Sequence, residues 1–448
     1  MPLDCVIRGG RVVRATGVEL LDIGMEGGKV TVLAPEITEK SRETVDARGL
    51  HVFPGVLDAH VHFNDPGRST WEGVPSGSAA LVAGGGTCFI DMPLNSSPPT
   101  LDGASFDRKL QACRGRSYAD FALWGGLTPD NLDHLEALAE RGVVGFKAFM
   151  SGSGIEDFRR CDDETLYRGM QISAGLGLPV AVHAEDEEMI TALASRARAE
   201  GRTAVKDFLE SRPIEAEAKA IARAIRMASE TRCSLHVVHT SSARGVQLIR
   251  NAAEAGQCDA TCETCPHYLL LSAQDMERMG ARAKCAPPLR PEPERQRLVQ
   301  EVADGRVDTI GSDHSPSPPE MKAAADFFSA WGGISGVQAT LRALLTLAIP
   351  PYRIAALVSD NVARRFHLPG KGGIRVGADA DLALVDLSVV KPLAESELLD
   401  HHRLSPYVGR PLIGTVRRSV LRGKTVFLDG RLVGAPSGTH LRPAAAEA

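Results

Sequence analysis

The sequence predicts an α/β protein in which a (β/α)8 TIM barrel carries a small β-sandwich domain. Eight apolar, strand-like runs alternate with helical patterns within residues 51–369, which is the order of a parallel barrel. Short strand patterns with Gly-rich turns occupy residues 1–50, and the same style returns at residues 370–435. A chain of 448 residues is long enough for one barrel and one smaller domain.

The two ends of the chain are assigned to the small domain together. β-Branched residues and Gly-rich turns fill the stretch CVIRGGRVVRATGVELLDIGMEGGKVTVLAP, and GTVRRSVLRGKTVFLDGRLVG repeats this composition with Asp-Gly as a hairpin turn. Neither end alone supplies enough strand for a good core, so we expect the two ends to pair, with the middle of the chain inserted between them. The tail, residues 436–448, is predicted to be disordered.

The middle of the chain supplies the barrel. Helical patterns such as NLDHLEALAER and EAEAKAIARAIRMASE separate its strands. A doubly wound open sheet is the structural alternative, but no G-x-G-x-x-G fingerprint is present, and the Gly-rich VAGGGT precedes a strand instead of following one. The eight strand-like runs are LHVFPGVLDAHVH, GTCFIDMPL, DFALWGGL, GVVGFKAFM, PVAVHAE, SLHVVHTS, ATCETCPHYLLL and VDTIGSDHS.

Composition argues against several classes of partner. The net charge is −5, the pI is about 6.2 and no long basic run occurs, so neither nucleic acid nor an anionic membrane is an expected partner. No apolar run approaches the ~20 residues that a membrane-spanning helix needs. The N-terminus has no basic-then-apolar signal pattern, so we expect a cytoplasmic protein.

The nine cysteines are scattered and indicate no disulfide framework. One run, CDATCETCPH, brings Cys258, Cys262, Cys265 and His267 close together in the sequence. No second C-x-x-C pair is present to close a tetrahedral zinc site. We therefore interpret the run as small buried residues on a strand that continues through YLLL.

Ionisable residues fall on five of the eight predicted strands. His60 and His62 end the first run two residues apart, and alternate residues of a strand share one face. Active sites of barrels lie at the C-terminal ends of the strands. Each residue alone is explained equally well as a hydrogen-bonded core residue or a helix cap, but their joint position predicts a metal centre. The remaining members are Lys147, His183, His239 and Asp313.

This donor set suits two metal ions better than one. Four imidazoles and a carboxylate are too many for a single tetrahedral zinc with an open position, whereas two-metal sites hold ions about 3.5–4 Å apart. A bridging anion is then needed, and a protonated lysine has no lone pair to offer. A carbamate formed from Lys147 and CO2 would supply two oxygens and a negative charge.

The order HxH, Lys, His, His, Asp resembles the cyclic amidohydrolases of the amidohydrolase superfamily, namely the dihydroorotases, hydantoinases and allantoinases, over nearly the whole chain. The resemblance implies that Lys147 is an N6-carboxylysine that bridges two divalent ions. Nitrogen and oxygen ligands favour zinc, with iron, cobalt and manganese as alternatives. By the same resemblance, one ion is held by His60, His62, Lys147 and Asp313, and the other by Lys147, His183 and His239.

Longer motifs favour the allantoinase branch of that family. Dihydroorotases carry an Arg after the HxH pair and a His after the last Asp, where this chain has Asn64 and Ser317, so their carboxylate clamp is absent. Hydantoinases carry FMAYK, with a Tyr, where this chain has FMSGSG. Segments resembling allantoinases are HFNDPGRSTWEG, DMPLNSSPPT, GFKAFM, GSDHSPSPPEMK and AWGGISGVQ.

The resemblance implies that a metal-bridged hydroxide opens the hydantoin ring of allantoin to give allantoate, a step of purine breakdown. Asp313 would act first as base and then as acid, and the substrate contacts would come from Asn95, Ala286 and Ser315. It also implies a homotetramer. The alternatives are a hydantoinase or dihydropyrimidinase type of enzyme and, from another class, a non-catalytic scaffold relative.

Overall fold

A computed structural model describes residues 2–444 of the chain, and its strands form three sheets. The first strands are β1 (Leu3–Arg14), β2 (Gly17–Glu26), β3 (Lys29–Ala34), β4 (Ser41–Asp46) and β5 (His51–Pro54). The middle strands are β6 (Val56–Val61), β7 (Gly86–Asp91), β8 (Asp120–Leu123), β9 (Gly125–Gly126), β10 (Phe146–Phe149), β11 (Val180–His183), β12 (Leu235–Val237), β13 (Ala260–Thr264) and β14 (Thr309–Ile310). The last strands are β15 (Leu382–Pro392), β16 (Pro411–Leu421), β17 (Lys424–Leu428) and β18 (Arg431–Leu432).

Strands from both ends of the chain lie side by side in one nine-stranded sheet. Its order is β18-β17-β16-β15-β5-β1-β2-β3, with β4 paired to β1. β5 is parallel to β1 and antiparallel to β15, so the chain ends meet at this strand. All nine strands belong to one hydrogen-bonded sheet, and side chains of β1, β2, β5 and β15 share one hydrophobic core.

The predicted domain boundary at residue 50 is wrong by one strand. The run LHVFPGVLDAHVH was interpreted as a single barrel strand, but its first half is β5 in the nine-stranded sheet and its second half is β6 in another sheet. The chain changes sheets at Gly55, where a Cβ atom would lie 2.1 Å from Oγ1 of Thr87. Only glycine fits this close approach between the two layers.

Two parallel sheets hold the middle strands. One has the order β6-β7-β8 and the other β9-β10-β11-β12-β13-β14. Residues 120–126 connect the two sheets, because β8 pairs with β7 while β9, one residue further along, pairs with β10. A parallel bridge joins Val61 of β6 to His314, which follows β14.

The described helices mostly lie between these strands, and none of them is both long and apolar enough to cross a membrane. The α-helices are α1 (Val74–Ala83), α2 (Gly103–Cys113), α3 (Leu135–Arg141), α4 (Asp163–Gly175), α5 (Glu187–Ala199), α6 (Val205–Ser211), α7 (Ile214–Thr231), α8 (Ala243–Glu254), α9 (Pro266–Leu270), α10 (Ala273–Met279), α11 (Glu292–Ala303), α12 (Thr340–Thr346), α13 (Pro351–Ala355) and α14 (Asn361–Arg365). Short 3-10 turns occur at Leu132–His134, Gly280–Ala283, Pro319–Lys322, Val337–Ala339 and Glu395–Glu397, and a π turn at Ala356–Asp360.

Helix α7 shows how the sequence forms this layer. Its buried side chains include Ala220, Ile221, Ala224 and Ala228, at the three- and four-residue spacing that places them on one helical face. Helix α9 corrects a prediction, because PHYLL after β13 was interpreted as a continuation of the strand. Pro266 takes the first helical position, where its missing N–H costs no hydrogen bond.

The prediction of a disordered tail is wrong for residues 436–444. The backbone N–H of Gly438 donates to Ser117 O at 2.9 Å, and that of Leu441 donates to Phe121 O at 2.7 Å. His440 bridges Phe121 of β8 in parallel. This segment satisfies backbone groups beside β8, which its Ala- and Pro-rich composition does not indicate. Residues 445–448 lie outside the described residues.

An ion cluster centred on the buried Lys371 joins β8 to the segment before β15. The Nζ atom of Lys371 lies 2.6 Å from Asp120, 2.6 Å from Asp381 and 2.9 Å from Asp379. Arg422 also pairs with Asp120. Because Asp120 is the first residue of β8, this cluster, which we call the Lys371 hub, lies at the amino end of that strand.

Candidate metal centre

The six predicted ligands lie at or near the carboxyl ends of five parallel strands. His60 is in β6 with His62 just after it, Lys147 is in β10, and His183 is the last residue of β11. His239 follows β12 by two residues, and Asp313 follows β14 by three. All six line one cavity of about 320 Å³.

Two of these residues have unusual backbone conformations. His239 has φ of 39° and Asp313 has φ of 46°, in the left-handed region that side chains other than glycine rarely adopt. Such strain costs on the order of 1–3 kcal/mol and concentrates at functional sites. The strands thus end in sharp turns that direct both side chains into the cavity.

The donor atoms face one another at short distances. His60 Nε2 lies 3.3 Å and His62 Nε2 lies 3.4 Å from the same Asp313 oxygen. On the other side, His183 Nδ1 lies 3.1 Å from His239 Nε2. The imidazole centroids of His60 and His239 are 5.4 Å apart, so the two groups of ligands are neighbours.

The outward nitrogens of three imidazoles are held by other groups. His60 Nδ1 bonds to Glu263 at 2.7 Å, His62 Nδ1 to the carbonyl of Leu94 at 2.5 Å, and His183 Nε2 to Glu185 at 2.9 Å. Such partners orient metal-ligating histidines and leave the inner nitrogen free to bind an ion.

The protonation states favour cation binding. Burial lowers the pKa of His60, His183 and His239, so these imidazoles are neutral and have a free lone pair. Burial alone would raise the pKa of Asp313, but the surrounding imidazoles, His60 foremost, lower it overall. The site therefore presents neutral nitrogens around an ionised carboxylate.

Lys147 is the least satisfied member of the cluster. Its side chain is fully buried, and Nζ has no hydrogen-bond partner among the described residues. Burial lowers the pKa of Lys147 to about 8, so its amine is a better nucleophile near neutral pH than an exposed lysine. An unpartnered buried amine is costly and fits a group that is modified or bound to an ion in the working protein.

Sequence reasoning missed Glu185 and Glu263. Both are fully buried, and their pKa values are lowered to about 2 despite burial, by Arg212 and His183 for Glu185 and by His60 for Glu263. Glu263 could have been found, because a glutamate between two cysteines on an apolar strand needs a buried partner. Glu185 follows His183 by two residues in HAED.

The predicted substrate contacts also line the cavity. Asn95, Ala286 and Ser315 are part of its wall, but residues not predicted from the sequence contribute as well. Among these, Arg212 pairs with Glu185. The other unpredicted lining residues include Phe208, Lys284 and Trp331.

The described residues contain two groups of side chains that could hold a metal ion. The first is His60, His62 and Asp313, and it fits a cation because its donors are free. The second is the carboxylates of the Lys371 hub, whose centre the ammonium group already occupies.

Comparison with known proteins identifies the family. The sequence profile of the Amidohydrolase family matches residues 51–426. An allantoinase of Rubrobacter xylanophilus is 55% identical over 98% of both chains, and one of Solibacter usitatus is 51% identical over 99% of this chain and 97% of its own. The L-hydantoinase (dihydropyrimidinase) of Arthrobacter aurescens superposes with a TM-score of 0.95 at 33% identity, covering 98% of this chain and 100% of its own.

The chain belongs to the amidohydrolase family, on the branch that contains these allantoinases. The family and the donor cluster together support a binuclear metal site at the ends of the parallel strands.

Proposed function

We propose that this cyclic amidohydrolase opens the hydantoin ring of allantoin to give allantoate. The observation that carries the proposal is the convergence of four imidazoles, Asp313 and the unpartnered Lys147 amine in one cavity. The similarity to allantoinases along the whole chain supports the choice of substrate. In the sequence, Asn64 and Ser317 stand where dihydroorotases carry the charged groups that clamp a substrate carboxylate.

We infer that the middle strands close into a (β/α)8 barrel with residues 436–444 against it. The shared run of β8 and β9 and the bridge between Val61 and His314 support this closure. The small domain then consists of β1 to β5 and β15 to β18. A homotetramer in the cytoplasm is the corresponding proposal for the assembly, and native mass spectrometry tests the subunit number.

Two divalent ions fit the donor set, and we propose zinc. His60, His62 and Asp313 would hold one ion, His183 and His239 the other, and a carbamate on Lys147 would bind both. When bound, the ions polarise the amide carbonyl and lower the pKa of water. Glu263 and Glu185 keep the imidazoles in the orientation this requires.

Asp313 is the proton carrier of the reaction. Its side chain is 13% exposed, compared with 1% for His60 and 7% for His62, so it reaches the cavity most freely. Water adds to the ring carbonyl carbon, and Asp313 takes a proton from it. The C–N bond then breaks as Asp313 returns that proton to the ring nitrogen, which is a poor leaving group unless it is protonated.

The cavity suits a small neutral substrate rich in N–H and C=O groups. Asn95 offers an amide, Ser315 a hydroxyl, and the backbone around Ala286 further hydrogen-bonding groups. The Asn95 side chain donates only a long bond of 3.4 Å to Asn64, which leaves its oxygen free for a substrate. We propose that these three residues contact the ring.

The test uses purified, metal-reconstituted protein in bicarbonate buffer. Racemic allantoin, hydantoin and dihydroorotate are supplied separately, and product formation is followed by NMR. Allantoate formed fastest by a wide margin supports the proposal. Faster opening of hydantoin moves the enzyme to the hydantoinase type, the class of the structurally similar Arthrobacter aurescens protein. No turnover with two ions bound per chain refutes the enzymatic proposal and favours the scaffold alternative.

A further inference from the structure

One wall of the cavity is a segment without regular secondary structure. Residues 328–333 supply six of the 24 residues that line the cavity, including Phe328 and Trp331. The segment 327–333 contains neither helix nor strand, so its backbone carbonyls have no ladder or helical partners. Backbone carbonyls this close to the interior need other donors.

Lys284 supplies donors to the first half of this segment. The Nζ atom of this buried side chain donates to Phe327 O at 2.6 Å, Phe328 O at 3.1 Å and Ala330 O at 2.5 Å. Its own carbonyl accepts from the N–H of Gly333 at 2.7 Å. The segment is thus bound to Lys284 at both ends.

Lys322 supplies donors to the second half. Its Nζ atom donates to Gly333 O at 2.8 Å, to Trp331 O at 3.4 Å and, outside the segment, to Ala281 O at 3.2 Å. Together the two lysines reach five carbonyls among residues 327–333. Neither ammonium group has a carboxylate within 4.0 Å among the described residues.

The geometry favours the charged form of both lysines. Each Nζ faces three carbonyls, and only an ammonium group has three N–H bonds to match them. Burial lowers the pKa of Lys284 to about 7 and that of Lys322 to about 8. Arg212, Lys322 and Arg198 also lower the pKa of Lys284, whereas Asp326 raises it. Lys284 Nζ also lies over the rings of Phe208 and Phe327, at 4.6 Å and 5.1 Å from their centroids. Without a carboxylate partner, both charges are costly to bury.

We propose that Lys284 and Lys322 are positioning residues that hold residues 327–333 as a rigid wall of the substrate cavity and thereby set substrate affinity. Lys284 lines the cavity, but its three N–H bonds are all directed to carbonyls, so none is left for a substrate. If the wall contacts the substrate equally well in the ground state and in the transition state, loosening the wall raises KM and leaves kcat unchanged. The KM measurement rests on the proposed function, because it needs allantoin as the substrate. The hydrogen-exchange measurement does not.

The variants Lys284→Met and Lys322→Met test the proposal in the metal-loaded, full-length protein. Methionine keeps much of the side-chain length but removes all three donors. We expect KM for allantoin to rise about tenfold when the bonds from one Nζ atom to the carbonyls of residues 327–333 are lost. We expect kcat and metal content to stay unchanged. Peptide-resolved hydrogen exchange should accelerate in the peptide that spans residues 327–333.

Two lysines elsewhere provide matched controls. Lys371→Met removes another buried ammonium group at the amino end of β8, so it lowers stability but leaves KM and exchange in residues 327–333 unchanged. Lys206→Met removes a lysine whose side chain is 75% exposed, on α6 beside the cavity residue Phe208. If Lys284→Met does not fold, Lys322→Met alone decides the question.

Unchanged KM and unchanged exchange in both the Lys284→Met and the Lys322→Met variant would overturn the proposal. A collapse of kcat with KM and exchange unchanged would also overturn it, since Lys284 would then act on the reacting atoms. If wild-type protein does not hydrolyse allantoin, the proposed function fails. The exchange experiment still tests whether Lys284 and Lys322 hold residues 327–333.

Discussion

The Lys371 hub allows a quantitative prediction about stability. Lys371→Met removes a buried ammonium group that lies 2.6–2.9 Å from three carboxylates. At an effective dielectric constant of about 20, each contact corresponds to about 6 kcal/mol of Coulomb attraction. Desolvation of the four groups cancels most of this sum, and breaking a buried pair costs about 3–5 kcal/mol net. We expect that loss in the free energy of unfolding, measured by urea denaturation.

Lys29→Met is the matched control for this prediction. Lys29 pairs with Asp379, a carboxylate of the same hub, at 2.6 Å, but its side chain is 47% exposed. Exposed ion pairs contribute about 0–1 kcal/mol. If Lys371→Met costs no more than Lys29→Met, the hub does not stabilise the fold and the reasoning is wrong.

The pH dependence of the Lys371→Met variant is a second check. In the wild type, burial would raise the pKa of Asp120, but Lys371 and Arg422 lower it, so the native carboxylate stays ionised. Without the ammonium group, only Arg422 opposes the effect of burial, so the pKa of Asp120 rises relative to that in the wild type. The stability difference between the variant and the wild type therefore narrows as pH falls from 7 towards 5.

Further predictions concern the metal centre and the cavity wall. Glu263→Gln should weaken metal affinity ten- to a hundredfold, about the effect of losing a histidine's outer partner, as measured by metal analysis after dialysis against chelator. Lys147→Met should bind at most one ion per chain and lose the carbamate signal seen by NMR with 13C-bicarbonate. Asp313→Asn at full metal loading should lower kcat by roughly 10²–10⁴; near-normal turnover would contradict its role as proton carrier. Because deprotonation leaves two N–H bonds for three carbonyls, KM should rise as pH increases through about 7 and 8 in the wild type and stay flat in the Lys284→Met, Lys322→Met double variant.

The parts of the fold that follow from local patterns were predicted from the sequence. The strand-like runs and the HxH pair depend on side chains with a period of two, which a single sequence displays directly. The YLLL run was misinterpreted because a short apolar run fits a strand and a buried helix equally well. The division between β5 and β6 at Gly55 depends on the approach of Thr87, which is a tertiary contact.

The cavity wall could not be predicted for a different reason. Lys284 and Lys322 bind backbone carbonyls, and every residue has one, so no pattern of side chains marks their partners. The predicted ligands could be placed at one cavity because each carries its own chemistry at a strand end. Glu185 and Glu263 are intermediate between the cavity-wall lysines and the predicted ligands. The sequence shows that they are carboxylates, but which histidine each one bonds depends on how the strands pack.

The position of β5 has a consequence for synthesis of the chain on the ribosome. Pro54 of β5 pairs with Leu382 of β15, 328 residues later. At about 5–20 residues per second, translation leaves this edge of β5 without its neighbour for roughly 16–66 s. An open edge can pair with other nascent chains, so the growing polypeptide depends on chaperones or on rapid folding of the middle strands until its last segment emerges.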